Sequence, residues 1–298
     1  MRVGVIGLGS MGMGMALSLV RAGHDVAGSD VRADAVDSLA AAGGHAAAHP
    51  AAAAEGAQLV ILMVVNQAQV EAVLFGPDGA VGALAPGAVV MQSATVPAEF
   101  IEALAVRLAE TGHLLLDAPV SGGAAKARDG QLTIMSSGPA AAYAIAEPML
   151  AAVAATVYRL GDRPGIGSTV KTVNQLLAGV HIAAAAEAMA LGTRAGADPR
   201  QLYEVISNSA GGSWMFQNRV PHMLDGDFTP LSSVEIFVKD LGLVLDTGRS
   251  LRFPLPIAAA AHQQFLAAAA SGHGREDDAA VVKVYEGLAG ISVARPKS

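Results

Sequence analysis

The chain has 298 residues and a net charge of −7, with 52% hydrophobic residues and no cysteine. Without thiols it builds neither a disulfide-stapled fold nor a cysteine-ligated metal site, and we expect no bound metal. The acidic balance disfavours a nucleic-acid partner, which needs clustered Lys and Arg, and the apolar fraction excludes intrinsic disorder.

Short apolar runs alternate with helical patterns over the first half of the chain. The runs that predict strands are Arg2–Ile6, Asp25–Ser29, Leu59–Val64, Val89–Gln92, Leu114–Asp117, Thr133–Ser136 and Val157–Leu160. The segments that predict helices are Met11–Ala22, Ala35–Ala42, Gln67–Leu74, Ala98–Glu110 and Ala140–Ala151. Apolar strands separated by helices are typical of an α/β fold with a doubly wound, mainly parallel sheet. The Ala-rich tract 45–54 is expected to form a helix or a loop over that sheet.

The strand pattern stops at the turn-rich segment 161–165. Beyond it, the sequence predicts helices at Ser168–Ala195, Arg200–Asn208, Glu235–Arg249, Ile257–Ala270 and Asp277–Leu288. The length of the chain also suits about two domains. We therefore predict an α/β domain over residues 1–162 and an all-α domain over residues 163–298, joined by a long helix.

The apolar composition raises the question of a membrane. We find no apolar run of ~18 residues that is free of polar side chains, which a spanning helix needs. The nearest candidate, Leu176–Leu191, is shorter and contains His181 and Glu187. The first residues lead into a strand without a signal-peptide cleavage site. We expect a cytoplasmic protein with no membrane contact.

A glycine-rich turn follows the first predicted strand and opens the first predicted helix. It fits the pattern G-x-G-x-x-G and consists of Gly7, Leu8, Gly9, Ser10, Met11 and Gly12. In this context the first glycine permits a tight turn, the second lets backbone approach a pyrophosphate, and the third lets helix and strand pack closely. The helix N-terminus offers N–H groups to the phosphates. The turn predicts a dinucleotide-binding Rossmann domain; the alternative is an ordinary Gly-rich turn.

An acid at the end of the second predicted strand indicates which dinucleotide binds. Asp30 lies close to the ~20 residues beyond the glycines at which a carboxylate hydrogen-bonds the adenosine ribose. Its charge would repel a 2′-phosphate, so we expect NAD rather than NADP. Arg32 is near enough to keep NADP open, and a surface charge is the plain alternative for Asp30.

Two further segments carry groups suited to chemistry on a small acid. One is a turn made of Ser121, Gly122 and Gly123, whose accessible amides suit a carboxylate, although an ordinary turn fits equally well. The other is the long helix, where Lys171 and Asn174 share a face that Gln175 borders. In an apolar cleft, desolvation lowers the pKa of a lysine, which then exchanges protons near neutral pH. A lysine that snorkels at the helix surface is the alternative.

Together with Lys239–Leu241, these segments resemble the β-hydroxyacid dehydrogenase family, which includes 3-hydroxyisobutyrate dehydrogenase and tartronate semialdehyde reductase. The matching motifs follow the family's order: Gly7–Gly12, Asp117–Gly123, Gly167–Gln175 and Lys239–Leu241. They extend over almost the whole chain. The resemblance implies a Rossmann domain, a long interdomain helix, a helical C-terminal domain, and NAD-dependent oxidation of a small hydroxy acid.

The resemblance also implies roles for single residues. Lys171 would be the catalytic acid/base, which takes the hydroxyl proton in oxidation and returns it in reduction. Asn174 would position the substrate beside Lys171, and Gln175 would bind the substrate as well. Gln175 replaces the second asparagine of most members, which predicts a reshaped pocket. The substrate carboxylate would bind to Ser121, Gly122 and Gly123, and further cofactor contacts would come from Asn66, Thr95 and Lys239. From spacing alone, Lys239 is equally a solvated residue of a helix face.

Within the family, the segments 121–127, 174–181 and 212–216 most resemble the L-threonate dehydrogenases. That branch implies oxidation of L-threonate to 2-dehydro-L-erythronate and adds Trp214 as a substrate-binding residue; a core or interface aromatic is an equal alternative for Trp214. Rival substrates are 3-hydroxyisobutyrate and the tartronate semialdehyde–glycerate pair. An imine reductase, against which Lys171 argues, and a non-catalytic dinucleotide-binding module are further alternatives. We expect a small carboxylic acid as substrate and a homodimer or homotetramer.

Overall fold

The computed structural model describes residues 1–294 and forms two compact units, with the chain passing from the first to the second between Lys171 and Thr172. In the first unit the strands are β1 (Arg2–Ile6), β2 (Asp25–Ser29), β3 (His45–Ala46), β4 (Leu59–Leu62), β5 (Val89–Gln92), β6 (Leu114–Asp117), β7 (Val120–Ser121), β8 (Leu132–Ser136) and β9 (Ala154–Arg159). Its helices are α1 (Ser10–Arg21), α2 (Ala33–Ala41), α3 (Pro50–Ala54), α4 (Gln67–Phe75), α5 (Ala98–Glu110), α6 (Gly123–Arg128) and α7 (Ala140–Val153). The domain boundary at residue 162 stays a prediction, and the last four residues of the predicted second domain lie outside the described residues.

A six-stranded parallel sheet organises the first unit. The strand order is β3-β2-β1-β4-β5-β6, and each neighbouring pair is parallel. The chain first adds strands on one side of β1 and then, from β4 onwards, on the other. The resulting switch point between β1 and β4 is where open α/β sheets bind ligands. The predicted doubly wound α/β fold is confirmed.

Burial on both faces explains why the strands read as continuous apolar runs. In β4, Leu59 and Ile61 enter a core cluster with α1 and α7, whereas Val60 and Leu62 enter a second cluster with α4 and α5. Successive side chains of a strand point to opposite faces, so both faces of this strand must be apolar. The helices therefore pack as two layers, one on each side of the sheet.

The last three strands of the first unit form a separate sheet. Its order is β7-β8-β9, with β7 antiparallel to β8 and β8 parallel to β9. The sequence did not predict this second sheet, nor the strands β3 and β7, because two residues are too few to show a period. The Ala-rich tract 45–54 holds β3 and the short helix α3 rather than a single helix or loop.

The second unit is helical throughout its described residues. Its helices are α9 (Pro199–Ser207), α10 (Trp214–Asp225), α11 (Val234–Ser250), α12 (Pro256–Ala268) and α13 (Val282–Ala289), and α8 (Ile166–Arg194) enters it from the first unit. Helix α10 was not predicted; Pro221 inside it removes a backbone donor and obscures the helical pattern. The predicted helix over 277–288 divides into a 3-10 turn at Asp278–Val281 and α13.

Helix α8 is the one described helix that is long and apolar enough to cross a membrane by length and composition. An 18-residue window reaches a mean hydropathy of 1.5, and 39% of that window is buried. Ile182, Ala186 and Met189 of α8 are fully buried in the core of the second unit. A buried core helix passes the same test of length and composition, so this finding is weak evidence for a membrane span.

Candidate active site

The polar and glycine-rich segments of the first unit meet at one edge of the six-stranded sheet. Parallel pairing aligns the strand ends, because Ile6 pairs with Ser29 and Leu62, and Leu62 pairs with Gln92. Gln92 in turn pairs with Asp117. The segments that leave these strand ends contain the predicted site residues Gly7–Gly12, Asp30, Asn66, Thr95 and Ser121–Gly123. They lie at the carboxyl edge of the strands, where this kind of sheet binds its ligands.

The Gly-rich turn combines close packing with open space. Gly7 has a φ of +92°, and a Cβ on Gly12 would lie 1.9 Å from the Gly7 oxygen. A Cβ on Gly9, by contrast, would meet no atom within 4 Å, and no side chain caps α1 at this residue. Leu8 is buried in the core, Met11 is half-buried and Ser10 is exposed. Open space beside an uncapped helix N-terminus fits the pyrophosphate of a dinucleotide.

Asp30 directly follows β2 and hydrogen-bonds to the Gly-rich turn. Its Oδ2 accepts a hydrogen bond of 2.6 Å from the Leu8 amide, and its Oδ1 accepts one of 2.9 Å from the Arg32 amide. The Arg32 side chain makes an ion pair of 3.3 Å with Oδ1 and donates to the Leu8 carbonyl at 3.0 Å. A carboxylate and a guanidinium therefore flank the same turn.

The segments after β4 and β5 are ordered by short-range hydrogen bonds. Asn66 is exposed and caps α4, because its Oδ1 accepts from the Gln69 amide at 2.9 Å. Thr95 is half-buried and follows a turn in which the Gln92 side chain bonds both backbone groups of Ala94, at 2.9 and 2.7 Å. Asn66 and Thr95 thus lie in the segments that leave β4 and β5 at the carboxyl edge of the sheet.

The turn that follows β6 exposes backbone amides. Ser121 belongs to β7, and Gly122 and Gly123 have φ angles of +133° and +76°. A Cβ on Gly123 would meet no atom within 4 Å. The open space beside Gly123 leaves room for a carboxylate near these backbone amides.

Asp117 ties the end of β6 to the first turn of α8. Its Oδ2 accepts from the amides of Gly165 and Ser168 at 2.9 and 2.8 Å and from the Ser137 hydroxyl at 3.2 Å. Its Oδ1 accepts from the Ser168 hydroxyl at 2.7 Å. Asp117 is fully buried, and this burial raises the pKa of its carboxyl although the four hydrogen bonds act in the opposite direction. The sequence motif contained Asp117, but its partners are up to 51 residues away in the chain.

Lys171 lies in the second turn of α8 and is 8% exposed. The side chain is therefore buried rather than extended into solvent, in contrast to the surface lysine of the alternative interpretation.

In the second unit, a chain of polar contacts joins three predicted site residues, Asn174, Gln175 and Lys239, through Asp240. The Asn174 amide donates to the Gln175 oxygen at 3.0 Å, and the Gln175 amide donates to Asp240 Oδ2 at 2.5 Å. Lys239 makes an ion pair of 2.8 Å with Asp240 Oδ1. Asp240 is 2% exposed, so its carboxylate is shielded from solvent. The sequence showed Asp240 beside Lys239 but not its bond to Gln175, which is 65 residues away.

Trp214 begins α10 and is 57% exposed, which excludes the core interpretation of this residue. Ser213 caps the helix, because its Oγ accepts from the Phe216 amide at 3.0 Å. No hydrogen bond among the described residues joins Trp214 to the chain that ends at Lys239. Across residues 1–294, no group of three or more His, Asp and Glu side chains is arranged to hold a metal ion.

Comparisons with known proteins identify the family. Residues 2–161 match the family described as the NAD binding domain of 6-phosphogluconate dehydrogenase, and residues 165–285 match the NAD-binding family of NADP-dependent 3-hydroxyisobutyrate dehydrogenase. An L-threonate dehydrogenase of Cupriavidus necator is 60% identical over 96% of both chains. A 3-hydroxyisobutyrate dehydrogenase of Pseudomonas aeruginosa is 34% identical over 96% of this chain and 98% of its own.

The chain belongs to the β-hydroxyacid dehydrogenase family. A crystal structure described as 3-hydroxyisobutyrate dehydrogenase from Salmonella typhimurium has the same fold, with a TM-score of 0.90, 51% identity, and coverage of 95% of this chain and 99% of that one. The predicted class, an NAD-dependent hydroxyacid dehydrogenase with a small carboxylate substrate, is confirmed by these relatives. The predicted resemblance to L-threonate dehydrogenases is confirmed as well.

Proposed function

We propose that this dehydrogenase oxidises L-threonate to 2-dehydro-L-erythronate with NAD. The observation that carries the choice of substrate is the identity of 60% with an L-threonate dehydrogenase, which extends over 96% of both chains. A relative named 3-hydroxyisobutyrate dehydrogenase is 34% identical, and one named 2-(hydroxymethyl)glutarate dehydrogenase is 36% identical. The larger identity favours the four-carbon sugar acid over these alternatives.

The sheet edge of the first unit supports the binding of NAD. In our proposal the pyrophosphate lies against Gly9 and the N-terminus of α1, where the space is open. Asn66 and Thr95 would line the cofactor farther along the edge, and Lys239 would be a further cofactor-binding residue. Asp30 would bind the adenosine ribose and reject a 2′-phosphate, because two negative charges would then face each other.

Lys171 would serve as the acid/base. The bound NAD supplies the hydride acceptor for the carbon that carries the hydroxyl group. In oxidation, neutral Lys171 takes the hydroxyl proton on Nζ as the carbonyl forms; in the reverse direction, the Lys171 ammonium returns it to the carbonyl oxygen. Its burial at 8% exposure supports this role, because a general base must be held in a fixed place within hydrogen-bond reach of the proton that it takes.

The acid would be held by several backbone and side-chain groups. The amides of Gly122 and Gly123, with the Ser121 hydroxyl, would bind its carboxylate. Asn174 would orient the reacting hydroxyl group beside Lys171. In our proposal Gln175 acts on the substrate through Asn174, because its amide is hydrogen-bonded to Asp240. Trp214, which is 57% exposed, would cover the bound acid.

The oligomeric state, the location and the partners of the protein are also proposals. An exposed apolar row on α8, formed by Ile166, Val170, Val173 and Leu177, supports a homodimer or homotetramer. These residues follow one another at intervals of four and three, so they share one face of the helix. We also propose a cytoplasmic location and no partnership with membranes or nucleic acids.

The test is an activity panel followed by the appearance of NADH. L-threonate, 3-hydroxyisobutyrate, glycerate and D-threonate are each offered with NAD and, in parallel, with NADP. We expect the highest kcat/KM with L-threonate and NAD. A higher kcat/KM for 3-hydroxyisobutyrate or glycerate would refute the proposed substrate but leave the enzyme class intact. Inactivity on every acid would favour a dinucleotide-binding module without catalysis.

A further inference from the structure

We infer that Asp117 is a positioning residue for this reaction, because it fixes the first turn of α8 and thereby the place of Lys171 relative to the sheet edge. The inference rests on the proposed role of Lys171. It assigns to Asp117 no contact with cofactor or acid.

Three of the four hydrogen bonds to the Asp117 carboxylate come from the start of α8. It accepts hydrogen bonds from Gly165 N, Ser168 N and Ser168 Oγ at 2.9, 2.8 and 2.7 Å. Each orphan amide at a helix N-terminus needs an acceptor, and a negative charge there is favoured by the helix dipole. One side chain from β6 thus satisfies the first turn of the helix that carries Lys171.

A second tie leaves this turn little freedom to move. The Gly167 amide donates to Ser137 Oγ at 3.0 Å, and Ser137 Oγ itself donates to Asp117. A Cβ on Gly167 would lie 2.4 Å from the Met135 oxygen, so the helix backbone packs directly against the end of β8. The turn is therefore held by hydrogen bonds and by close packing together.

The strand end that carries Asp117 is itself fixed. Asp117 N donates to the Ser137 carbonyl at 3.0 Å, and Ser137 N donates to the Asp117 carbonyl at 2.8 Å. Because these bonds use the main chain, they remain when the side chain of Asp117 is changed. A substitution at Asp117 thus weakens the hold on the first turn of α8 while the backbone of β6 keeps its place.

Lys171 stands directly beyond this turn. It follows Ser168 by three residues, so the two side chains lie on neighbouring positions of one helix face. Helical side chains lean towards the N-terminus, which brings Lys171 back over the turn that Asp117 holds. A displacement of a catalytic group by about 1 Å costs as much as 10²-fold in rate. Loosening this turn is therefore expected to lower kcat.

The experiment measures kcat, KM and NAD affinity separately for Asp117→Asn. The asparagine side chain keeps one acceptor oxygen. Its NH2 group replaces the other oxygen and cannot accept hydrogen bonds from Gly165 and Ser168. We expect kcat to fall about 10-fold to 100-fold, with the KM for L-threonate and the Kd for NAD within about threefold of the wild-type values. Circular dichroism at the assay temperature establishes that the variant is folded.

Variants of Ser168 and a distant helix cap serve as controls. Ser168→Ala removes one donor and is expected to lower kcat, whereas Ser168→Thr keeps the hydroxyl group and restores it to within about threefold of wild type. Asp198 caps α9 through the amides of Arg200 and Gln201, at 3.0 and 2.9 Å. Asp198→Ala is expected to lower Tm without changing kcat. This control distinguishes the general effect of losing a helix cap from the loss of Lys171 positioning.

The inference is overturned if folded Asp117→Asn keeps kcat within twofold of wild type. It is also overturned if kcat falls only in proportion to the folded fraction, or if Kd for NAD rises as much as kcat falls. Lys171→Ala is measured alongside, so that a failure of the positioning role can be distinguished from a failure of the proposed function. If Lys171→Ala is inactive and Asp117→Asn is active, only the positioning role is wrong; if Lys171→Ala is active, the lysine mechanism itself is wrong.

Discussion

The carboxylate of Asp30 bonds to Leu8 on one side and to Arg32 on the other, so this one residue connects the phosphate-binding turn with a nearby cation. In the intact enzyme the guanidinium of Arg32 is engaged by Asp30 and by the Leu8 carbonyl. In our proposal, the choice between NAD and NADP depends on this carboxylate, which would bind the ribose and which restrains Arg32.

Asp30→Ala should therefore weaken the preference for NAD. The substitution removes the charge that repels a 2′-phosphate and releases Arg32 to meet one. We expect the ratio of kcat/KM with NAD to kcat/KM with NADP to fall by about 10-fold or more, since a charge-assisted hydrogen bond contributes about 1.5–3 kcal/mol. Arg32→Ala is the matched control and should lower residual NADP use only. An unchanged ratio in Asp30→Ala would remove the basis for NAD specificity.

At the same scale, the sequence could identify candidate residues but not their partners. Lys171 and Asn174 were predicted to share a helix face because that relation is local. The bond of Gln175 to Asp240 joins positions 65 apart, and it is made only when α8 and α11 pack together. Gln175 was expected to reshape the pocket; in the structure it is buried and tied to an acid.

At the scale of elements, the β1–α1 junction uses its glycines in opposite ways. A Cβ at Gly12 would lie 1.9 Å from a backbone oxygen, whereas a Cβ at Gly9 would lie in open space. Gly12 is therefore required by the fold of the turn itself, whereas in our proposal Gly9 is required because the pyrophosphate occupies the space beside it.

Alanine substitutions separate these two requirements. Gly9→Ala should leave Tm within about 2 °C of wild type, since the new methyl group meets no protein atom, and should raise the Kd for NAD about 10-fold or more, which corresponds to about 1.4 kcal/mol. Gly12→Ala should lower Tm, because the helix must move away from the turn. Calorimetry and a fluorescence titration with NAD measure both quantities. A Gly9→Ala enzyme with unchanged NAD affinity would contradict the placement of the pyrophosphate.

Elements with a long period or a continuous apolar run were predictable, and elements defined by distant pairing were not. Strands β1, β2, β5 and β6 have the predicted bounds, because burial on both faces makes them apolar throughout. Strands β3 and β7 have two residues each and exist only through their pairing with β2 and β8. Helix α10 contains Pro221, which interrupts the sequence pattern of a helix, so α10 is recognisable only in the structure.

At the scale of the whole molecule, the second unit contains a buried group of charges outside the proposed site. Asp277 and Asp278 are fully buried, and Arg219 donates to both oxygens of Asp278, at 2.5 and 3.1 Å. His222 Nδ1 lies 3.4 Å from Asp277 Oδ1, and this hydrogen bond raises the pKa of His222 above its usual value of 6.5. Burial raises the pKa of Asp278 to about 6.

The pH dependence of stability should show the contribution of His222. Because its pKa is higher in the folded protein than in the unfolded one, its stabilising effect is complete below pH 6.5 and is lost as pH rises through the folded pKa. Between about pH 6.5 and pH 8, Tm of the wild type should fall by on the order of 2 °C more than Tm of His222→Gln. Parallel Tm curves for the two proteins over this range would show that His222 does not contribute.

Lys171→Ala is the measurement that tests the proposed mechanism most directly, with Lys171→Arg as a matched variant that keeps the charge but cannot act as a base near neutral pH. A positioned acid/base contributes about 10²-fold to 10⁴-fold to the rate. We therefore expect both variants to lose at least 10²-fold in kcat for L-threonate oxidation, while the Kd for NAD stays within about twofold of wild type. A Lys171→Ala enzyme that folds, binds NAD and retains a kcat within tenfold of wild type would contradict the account.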